Sequence, residues 1–342
     1  MDPSSRAKLE DLVRYRGGVV NAHSHLDIAR VVELPLLADI AAEFSLDHPV
    51  RLGELPLTDK IHVLDSRLRT ADEYSETAYS RAASYLEELV AAGGRGCATC
   101  VTTSDATGSA VVDIFGALKR DFADRLTLRL AALHLVPVLD DERELTAFRK
   151  VCEHPDIDMV SGLPQHHPDR TAEYCDLAFT IAEEVHKPIE VHVDEYLDPE
   201  ETETRTAAEA ALRARERGYT HPISFVHGIT LAAKPRTERL RVAGMLRDAD
   251  VTMVICPRSG LSIAAADVSN YLHNALAPVR ELLESGVRIA LGTDNIGDVF
   301  LPLSSGDMYA EAEFLAEAQR FYDLDTIADM LTINGARALN LS

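Results

Sequence analysis

The chain has no tryptophan, only five cysteines and few basic side chains for its 342 residues. Its 34 Lys and Arg residues are outnumbered by 56 Asp and Glu residues, which gives a formal net charge of -22 at pH 7. A protein of that sign repels phosphate backbones and anionic lipid headgroups. We therefore expect neither a nucleic-acid polymer nor a membrane surface among its partners.

Long apolar runs are also missing. No segment approaches the roughly 20 consecutive apolar residues of a membrane span, and residues 1–16 mix acids and bases without the apolar stretch of a signal peptide. The cysteines are odd in number and scattered, unlike the dense, even framework of a secreted disulfide scaffold. These absences predict a cytoplasmic protein without a membrane anchor.

Two of the cysteines, Cys97 and Cys100, form a C-x-x-C motif, which occurs in redox pairs and in halves of zinc sites. The motif lies inside the apolar run 96–101, and no second Cys or His pair accompanies it in the sequence. Core packing is therefore the preferred interpretation.

The composition is that of an ordinary globular chain with a large core, because 46% of the residues are hydrophobic and 26% are charged. The length allows two average domains or one large barrel. No Ser/Gly linker, low-complexity run or composition break divides the sequence. We therefore predict a single domain over residues 1–342.

Short apolar or β-branched runs alternate with longer amphipathic segments, which is typical of repeated βα units. The segments 76–92, 171–185 and 202–217 predict helices, and the pair Asn334-Gly335 predicts a helix end. Eight such units predict an α/β fold, the (β/α)8 TIM barrel, with an open doubly wound sheet as the alternative. The runs that predict strands are 18–22, 96–102, 127–137, 158–163, 188–193, 222–226, 251–255 and 287–292.

One stretch, residues 26–75, does not fit this period, because it separates the first predicted strand from its helix. It is long for a βα loop and typical of an active-site lid. Residues 36–44 within it have the pattern of a short helix. We expect an inserted lid after the first strand.

The first predicted strand runs into His23 and His25, whose side chains point to the same side because a strand has a period of two. Two imidazoles at that spacing can bind one metal ion. Taken alone, the pair has a simpler alternative, which is two buried and hydrogen-bonded structural histidines.

Three further strands carry polar side chains at their carboxyl ends. The fifth predicted strand carries His192 and leads to Glu195, the sixth leads to His227, and the eighth leads to Asp294. The carboxyl ends of the strands hold the active site in nearly every TIM-barrel enzyme. Convergence of these side chains at one barrel mouth therefore predicts a catalytic site in preference to separate structural contacts.

These motifs resemble the amidohydrolase superfamily, in the branch of the bacterial cytosine deaminases, with the adenosine deaminases as more distant relatives. The resemblance covers most of the chain. We expect the β-sandwich that flanks the barrel in the cytosine deaminases to be missing, because only 22 residues precede His23. The similar segments are His-x-His-Leu-Asp at 23–27, Ser-Asp-Ala-Thr at 104–107, His-x-Asp-Glu at 192–195, and the runs 279–286 and 336–341.

Carried over residue by residue, the resemblance implies that His23, His25, His192 and Asp294 bind one metal ion. Three imidazoles and one carboxylate suit Zn²⁺ or Fe²⁺, and a catalytic site keeps a further position for water. The fourth strand region, 158–165, has no Lys, whereas two-metal relatives place a bridging Lys there. We therefore expect one ion per chain.

The resemblance also implies the catalytic groups. Hydroxide on the metal is the nucleophile, Asp294 accepts its proton, and His227 either binds the metal weakly or orients the water. Glu195 protonates the ring nitrogen beside the attacked carbon and then the departing ammonia, so we expect burial to raise its pKa. The simpler alternative for Glu195 is a solvated loop acid, because residues 194–203 are generally acidic.

Substrate-contacting residues are predicted from position alone. Gln165 closes the fourth strand and can hydrogen-bond an amide-like ring edge. Arg258 follows the seventh strand, and Asn295 follows the predicted ligand Asp294. A structural ion pair is the alternative for Arg258 in so acidic a protein.

The sequence thus predicts deamination of a small amino-substituted heterocycle, pyrimidine-, purine- or triazine-like, with release of ammonia. Cytosine itself is not favoured, because Val138 follows Pro137 where the cytosine deaminases carry Gln, and the Trp of their pocket is absent. Two alternatives stay open: hydrolysis of a ring amide or another non-peptide C–N bond, and a non-catalytic, metal-stabilised barrel. Relatives in this family often form homo-oligomers, and the sequence is compatible with a homo-oligomer.

Overall fold

The structure of the protein is a computed structural model. It describes residues 1–105, 107–262 and 276–341, leaving aside the side chains of residues 57 and 58. Ala106, part of the sequence motif at 104–107, lies outside the described residues.

Eight parallel strands form one sheet in strict chain order, and each coincides with a predicted strand. The sheet closes between β8 and β1, where the Ala22 amide donates to the Leu291 carbonyl at 3.0 Å and Ser24 bridges to Asp294. The predicted (β/α)8 barrel is confirmed. The strand bounds are β1 Val19–Asn21, β2 Gly94–Thr103, β3 Thr127–His134, β4 Met159–Gly162, β5 Ile189–Val193, β6 Ile223–His227, β7 Val251–Ile255 and β8 Arg288–Leu291.

The strands are buried on both faces, as expected where helices cover a parallel sheet. In β6, Ile223 and Phe225 join the large apolar cluster shared with the helices, whereas Val226 joins a small cluster inside the barrel. Each fully buried side chain of this size contributes about 1.5–3 kcal/mol to stability. The strand β3 ends three residues before the predicted end at Pro137, which has no N–H for the ladder.

Helices cover the outside of the barrel. Prediction and structure agree for α7, and they agree for α8 within one residue at each end. Their bounds are α1 Pro3–Tyr15, α2 Pro35–Glu43, α3 Leu57–His62, α4 Asp72–Ala91, α5 Ala110–Phe122, α6 Glu142–Cys152, α7 Thr171–Val185, α8 Glu203–Glu216, α9 Arg236–Asp248, α10 Pro257–Ser262, α11 Val279–Glu284, α12 Met308–Gln319, α13 Leu324–Leu331 and α14 Ile333–Ala338.

Two helix boundaries differ from the prediction. The helix α4 begins at Asp72 and not at 76, because Asp72 and Glu73 place negative charge in its first turn, which favours a helix N-terminus. Gly335 lies inside α14 and does not end a helix. A Cβ at this position would lie 3.0 Å from Cγ1 of Val20, so the glycine permits a close approach of α14 to β1.

The insertion at 26–75 is largely helical. It contains α2 where a helix was predicted, followed by a 3-10 helix at Pro49–Glu54, α3, and a π-helix at Val63–Leu68. Its buried apolar side chains, including those of Leu37 and Leu64, form a cluster of their own. The insertion is therefore a small folded layer and not an open loop.

All strands of the described residues belong to the barrel sheet, so no flanking β-sandwich is present within those ranges. None of the helices that the structure describes combines the length and the apolar character needed to cross a bilayer.

Candidate active site

The carboxyl ends of β1, β5 and β8 bring the predicted metal residues together. The His25 amide donates to the Asp294 carbonyl at 2.9 Å, and the Asp294 amide donates to the His23 carbonyl at 3.1 Å. His192 lies in β5, and its ring centroid is 4.9 Å from that of His23. Main-chain hydrogen bonds thus fix the positions of the two histidines after β1 relative to Asp294, independently of side-chain contacts.

His227 and Asp294 hold backbone conformations that non-glycine residues rarely adopt, with φ of 75° and 58°. Because Phe225 faces the helices, the two-residue period of β6 would direct His227 outward as well. The left-handed conformation turns the His227 ring into the barrel mouth, 5.5 Å from the ring of His192 between centroids. Strain of this kind costs about 1–3 kcal/mol per residue and is typical of functional sites.

The ligand atoms lie close enough together for one ion. Nε2 of His23 and Nε2 of His25 are 3.3 Å and 3.1 Å from the same oxygen, Oδ1 of Asp294. Possible ligand atoms lie within 4.8 Å of one another in three overlapping groups, which are His23, His25, Cys100 and His192; His23, His227 and Asp294; and His192, Glu195 and His227. Imidazoles with one carboxylate at this spacing match the ligand chemistry of Zn²⁺ and Fe²⁺.

Several ring nitrogens in this cluster have no hydrogen-bond partner among the described residues. They are Nε2 of His23 and both ring nitrogens of His227, and all are buried. A buried polar atom without a partner costs about 1–3 kcal/mol. The residues present therefore fit a divalent cation that would pair with these atoms.

The electrostatics favour positive charge at the centre of the cluster. Burial lowers the pKa of His23, but the charges of Glu190 and Asp294 outweigh burial and raise it to about 10. Burial raises the pKa of Asp294, yet the imidazoles of His23 and His25 beside its Oδ1 hold that pKa well below its usual range. Burial lowers the pKa of His192 to about 4, so its ring is neutral and has a free lone pair. A bound cation satisfies all three groups.

Glu190 is a candidate site residue that the sequence reasoning missed. Its Oε2 accepts a hydrogen bond from Nδ1 of His23 at 3.0 Å, and its Oε1 accepts hydrogen bonds from Cys100 and Ser161, both at 3.2 Å. A proton held on Nδ1 leaves Nε2 of His23 free to bind a metal ion. The sequence signal was an acidic residue two positions before His192, on the same face of a strand whose other residues are apolar.

Ser259 is a second residue that sequence reasoning missed. Its hydroxyl donates to Oδ2 of Asp294, which leaves Oδ1 facing His23 and His25. Ser259 lies in the short helix α10 after β7, and nothing in the sequence singles it out.

Glu195 lies beside the imidazole cluster and is not a solvated loop acid, because its side chain is only 22% exposed. Its two oxygens are 3.8 Å from Nδ1 of His192 and 3.8 Å from Nε2 of His227. Burial raises the pKa of Glu195, but the charge of His227 and the nearby ring of His192 lower it to about 2. The expected upward shift is therefore wrong, because the neighbouring imidazoles outweigh burial. Glu195 starts as a carboxylate.

Gln165 contacts the same carboxylate. Its Nε2 donates to Oε2 of Glu195 at 3.2 Å. Its Oε1 is buried and has no hydrogen-bond partner within the described part of the chain. Gln165 therefore offers a free acceptor next to Glu195.

The other two predicted substrate residues have protein partners. Nε of Arg258 is 3.4 Å from Oε1 of Glu311, and its guanidinium lies over the ring of Phe314. The Asn295 amide donates to Oδ2 of Asp298 at 2.8 Å. Arg258 and Asn295 thus contact the protein itself, and their roles in substrate binding stay predictions.

The C-x-x-C motif is part of the core. Cys97 and Cys100 are buried and free, and burial raises the pKa of the Cys97 thiol to about 12. Neither cysteine has the lowered pKa of a redox thiol. The Cys100 thiol also donates a hydrogen bond to Oε1 of Glu190.

Comparison with known proteins agrees with this geometry. The model of the amidohydrolase family matches residues 17–342. The chain belongs to the amidohydrolase family. The resemblance seen in the sequence is thereby confirmed, and this amidohydrolase is a hydrolase of carbon–nitrogen bonds other than peptide bonds.

Relatives of this amidohydrolase include several deaminases. A solved structure of 5-methylcytosine deaminase from Klebsiella pneumoniae has a TM-score of 0.80 at 21% identity, covering 94% of this chain and 74% of that chain. The 5'-deoxyadenosine deaminase of Methanococcus maripaludis is 23% identical over 336 residues, 95% of this chain and 70% of that protein. The N-isopropylammelide isopropyl amidohydrolase of a Pseudomonas species is 27% identical over 190 residues, 54% of this chain and 43% of that protein. The structural likeness shows the fold.

Proposed function

We propose that this amidohydrolase is a deaminase that uses one divalent metal ion, Zn²⁺ or Fe²⁺. It replaces the exocyclic amino group of a small pyrimidine-, purine- or triazine-like ring with oxygen and releases ammonia. The observation that carries the proposal is the position of Glu195, 3.8 Å from the imidazoles of both His192 and His227. A carboxylate that contacts two of these imidazoles is suited to carry protons.

His23, His25, His192 and Asp294 would hold the metal ion. A bound divalent metal lowers the pKa of water from about 15.7 toward 7 and so supplies a nucleophile at neutral pH. The unpaired Nε2 of His23 and the free lone pair of the neutral His192 ring support this ligand set. His227, with both ring nitrogens unpaired, is available either as a weak ligand or to orient water.

Glu195 performs base catalysis before acid catalysis, because its lowered pKa makes it a carboxylate at neutral pH. It takes one proton from the attacking water and gives that proton to the ring nitrogen beside the attacked carbon. The second proton of the water goes to the departing amino group, and we assign its transfer to Asp294. The products are the ring carbonyl compound and ammonia, so the protons balance.

Gln165 is placed to orient the ring. Its Nε2 is engaged with Glu195, and its unpaired Oε1 can accept a hydrogen bond from a ring N–H or an amino group. A polar group that remains unpaired until substrate binds discriminates against rings that lack the matching donor. This contact positions the ring nitrogen close to Glu195.

The names of the relatives support the reaction class. Two are deaminases, of 5-methylcytosine and of 5'-deoxyadenosine, and a third is an amidohydrolase of N-isopropylammelide. These relatives therefore support removal of an amine from a small molecule. Because their substrates differ from one another, the identity of the ring has to be found by experiment.

The proposal is tested with amino-pyrimidines, amino-purines and amino-triazines offered to the zinc- or iron-loaded chain. We expect ammonia to be released from one ring class in proportion to the loss of the exocyclic amine. A chelator should abolish the release, and re-addition of the metal should restore it. The chelator-treated chain is the control for ammonia released without the site.

Two further arms address the other C–N bonds. Cyclic amides without an exocyclic amine are scored for ring opening, and ring opening without ammonia would replace deamination by hydrolysis of a ring amide. N-alkylamino rings are scored for free alkylamine, and alkylamine release with no ammonia from any primary amine would overturn ammonia as the product. Absence of turnover in every arm by a fully loaded chain would contradict a catalytic role.

A further inference from the structure

A second concave site lies at the opposite end of the barrel from the metal residues. It is a cavity of about 440 Å³ where β6, β7 and β8 begin, with Ile223, Thr252 and Arg288 in its wall. This volume is within the range of about 300–1,000 Å³ found for small-molecule sites. Because the metal residues occupy the carboxyl ends of the strands, the two sites are separate.

Arginine dominates the wall of this cavity. Arg95, Arg215, Arg288 and Arg337 line it, and Asp250 is the one acidic residue among the described residues in the wall. Asp250 is paired with both Arg288 and Arg337. The wall thus holds four guanidinium groups and one carboxylate, in a chain whose formal net charge is -22.

Some arginine N–H donors in the cavity have no hydrogen-bond acceptor among the described residues. Nε of Arg95 and Nε of Arg288 are buried and have no hydrogen-bond partner among residues 1–105, 107–262 and 276–341. Arg215, by contrast, donates to three backbone carbonyls at 2.7–2.9 Å. The unpaired donors therefore belong to Arg95 and Arg288.

Two arginines outside the cavity show the more usual pairing with a carboxylate. Arg125 forms two hydrogen bonds with Glu87, and Arg217 is paired with Glu183. In the cavity, burial lowers the pKa of Arg288, Asp250 raises it and the charge of Arg337 lowers it again. Crowded, half-buried cations of this kind are stabilised by an anion.

We propose that this cavity binds a small anion that carries a phosphate group, through Arg95, Arg288 and Arg337. Guanidinium groups match phosphate oxygens with paired N–H donors, and the unpaired Nε atoms of Arg95 and Arg288 supply such donors. The cavity exceeds the size of one phosphate ion, so it suits a phosphomonoester or a diphosphate. A nucleic-acid polymer is excluded because the net negative charge of the chain repels a long polyanion.

The experiment is calorimetric titration of the metal-loaded chain with inorganic phosphate and with pyrophosphate, against sodium chloride at equal ionic strength. We expect both phosphates to bind and pyrophosphate to bind more tightly, because it offers more oxygens to the same guanidinium groups. Arg95→Met should weaken binding about ten-fold or more, the loss expected for a charge-assisted contact. This variant removes no hydrogen bond within the described chain, so its fold should be retained.

Arg125→Met is the matched control, because it makes the same charge change just before β3, outside the cavity wall, and should leave phosphate binding unchanged. The His23→Ala variant should still bind phosphate, since the metal site lies at the other end of the barrel. Equal phosphate affinity in Arg95→Met and in the unmodified chain would overturn the proposal. Loss of phosphate binding in the His23→Ala variant alone would assign the anion to the metal site.

Discussion

Replacing Glu190 by Gln is expected to weaken metal binding although every metal ligand stays in place. The Glu190 side chain is only 1% exposed, and its Oε2 accepts a hydrogen bond from Nδ1 of His23 at 3.0 Å. Burial raises the pKa of Glu190, but the charge of His23 and its hydrogen bond lower it to about 2, so the contact is charge-assisted at neutral pH. Gln keeps the size of the side chain and can still accept a hydrogen bond. It removes the charge that fixes the ring and strengthens Nε2 as a ligand.

The expected magnitude follows from two independent figures. Loss of a partner behind a metal-binding histidine typically lowers metal affinity about 10- to 100-fold. A hydrogen bond to a charged group contributes about 1.5–3 kcal/mol, and about 1.4 kcal/mol corresponds to a factor of ten. Both figures place the dissociation constant for zinc at least about ten-fold above that of the unmodified chain.

The assay is competition for zinc between the protein and a coloured chelator. Ser161→Ala is the matched control, because it removes a 3.2 Å hydrogen bond to the other Glu190 oxygen without removing charge. We expect a clearly smaller loss of affinity in this control. Equal zinc affinity in Glu190→Gln and the unmodified chain would refute the role assigned to Glu190.

Three further predictions follow from the same contacts. His23→Ala and Asp294→Ala should each lose most of the single metal ion per chain by elemental analysis, and two tightly bound ions, or full occupancy in both variants, would contradict the site. Burial raises the pKa of Glu311 from 4.5 to about 8, and Arg258 opposes this shift. The folded chain therefore holds this proton more tightly than the unfolded chain, so the contribution of Glu311 to stability is present at low pH and is lost as pH rises from 4.5 to about 8. Urea unfolding of the unmodified chain should therefore show a falling free energy of unfolding relative to Glu311→Gln between pH 5 and 8, and a pH-independent difference would refute this. All five cysteines are buried, so a thiol reagent should label the native chain slowly and the urea-unfolded chain fully; rapid labelling of the native chain would contradict the packing.

The barrel could be predicted from the sequence because its signals are local. A buried parallel strand is an apolar run, and the surface helices between strands are amphipathic, so each βα unit is visible in its own segment. The shared location of the proposed metal residues could be predicted for the same reason, since His23, His192 and Asp294 all lie at or just beyond the carboxyl ends of such runs. The topology then brings them together without further information.

The remaining features depend on contacts between distant segments. The hydrogen bonds from Ser259 to Asp294 and from His23 to Glu190 join residues that are far apart in the sequence, and no local pattern predicts them. The lowered pKa of Glu195 likewise depends on where His227 points, which is decided by an unusual backbone conformation and not by strand period. Sequence reasoning expected burial to dominate that pKa and so obtained the wrong sign.

The proposed deamination depends most directly on Glu195, and the decisive measurement is turnover by Glu195→Gln on the ammonia-releasing substrate. Glu200→Gln is the matched control, because it makes the same change at an exposed acid of the same loop. We predict that both variants retain the fold and one metal ion, that Glu200→Gln keeps normal turnover, and that Glu195→Gln loses about 10²- to 10⁴-fold in kcat, as expected for a lost general acid or base. Loss of the metal from Glu195→Gln would make Glu195 a ligand, and unchanged ammonia release would contradict its role as the proton carrier of the reaction.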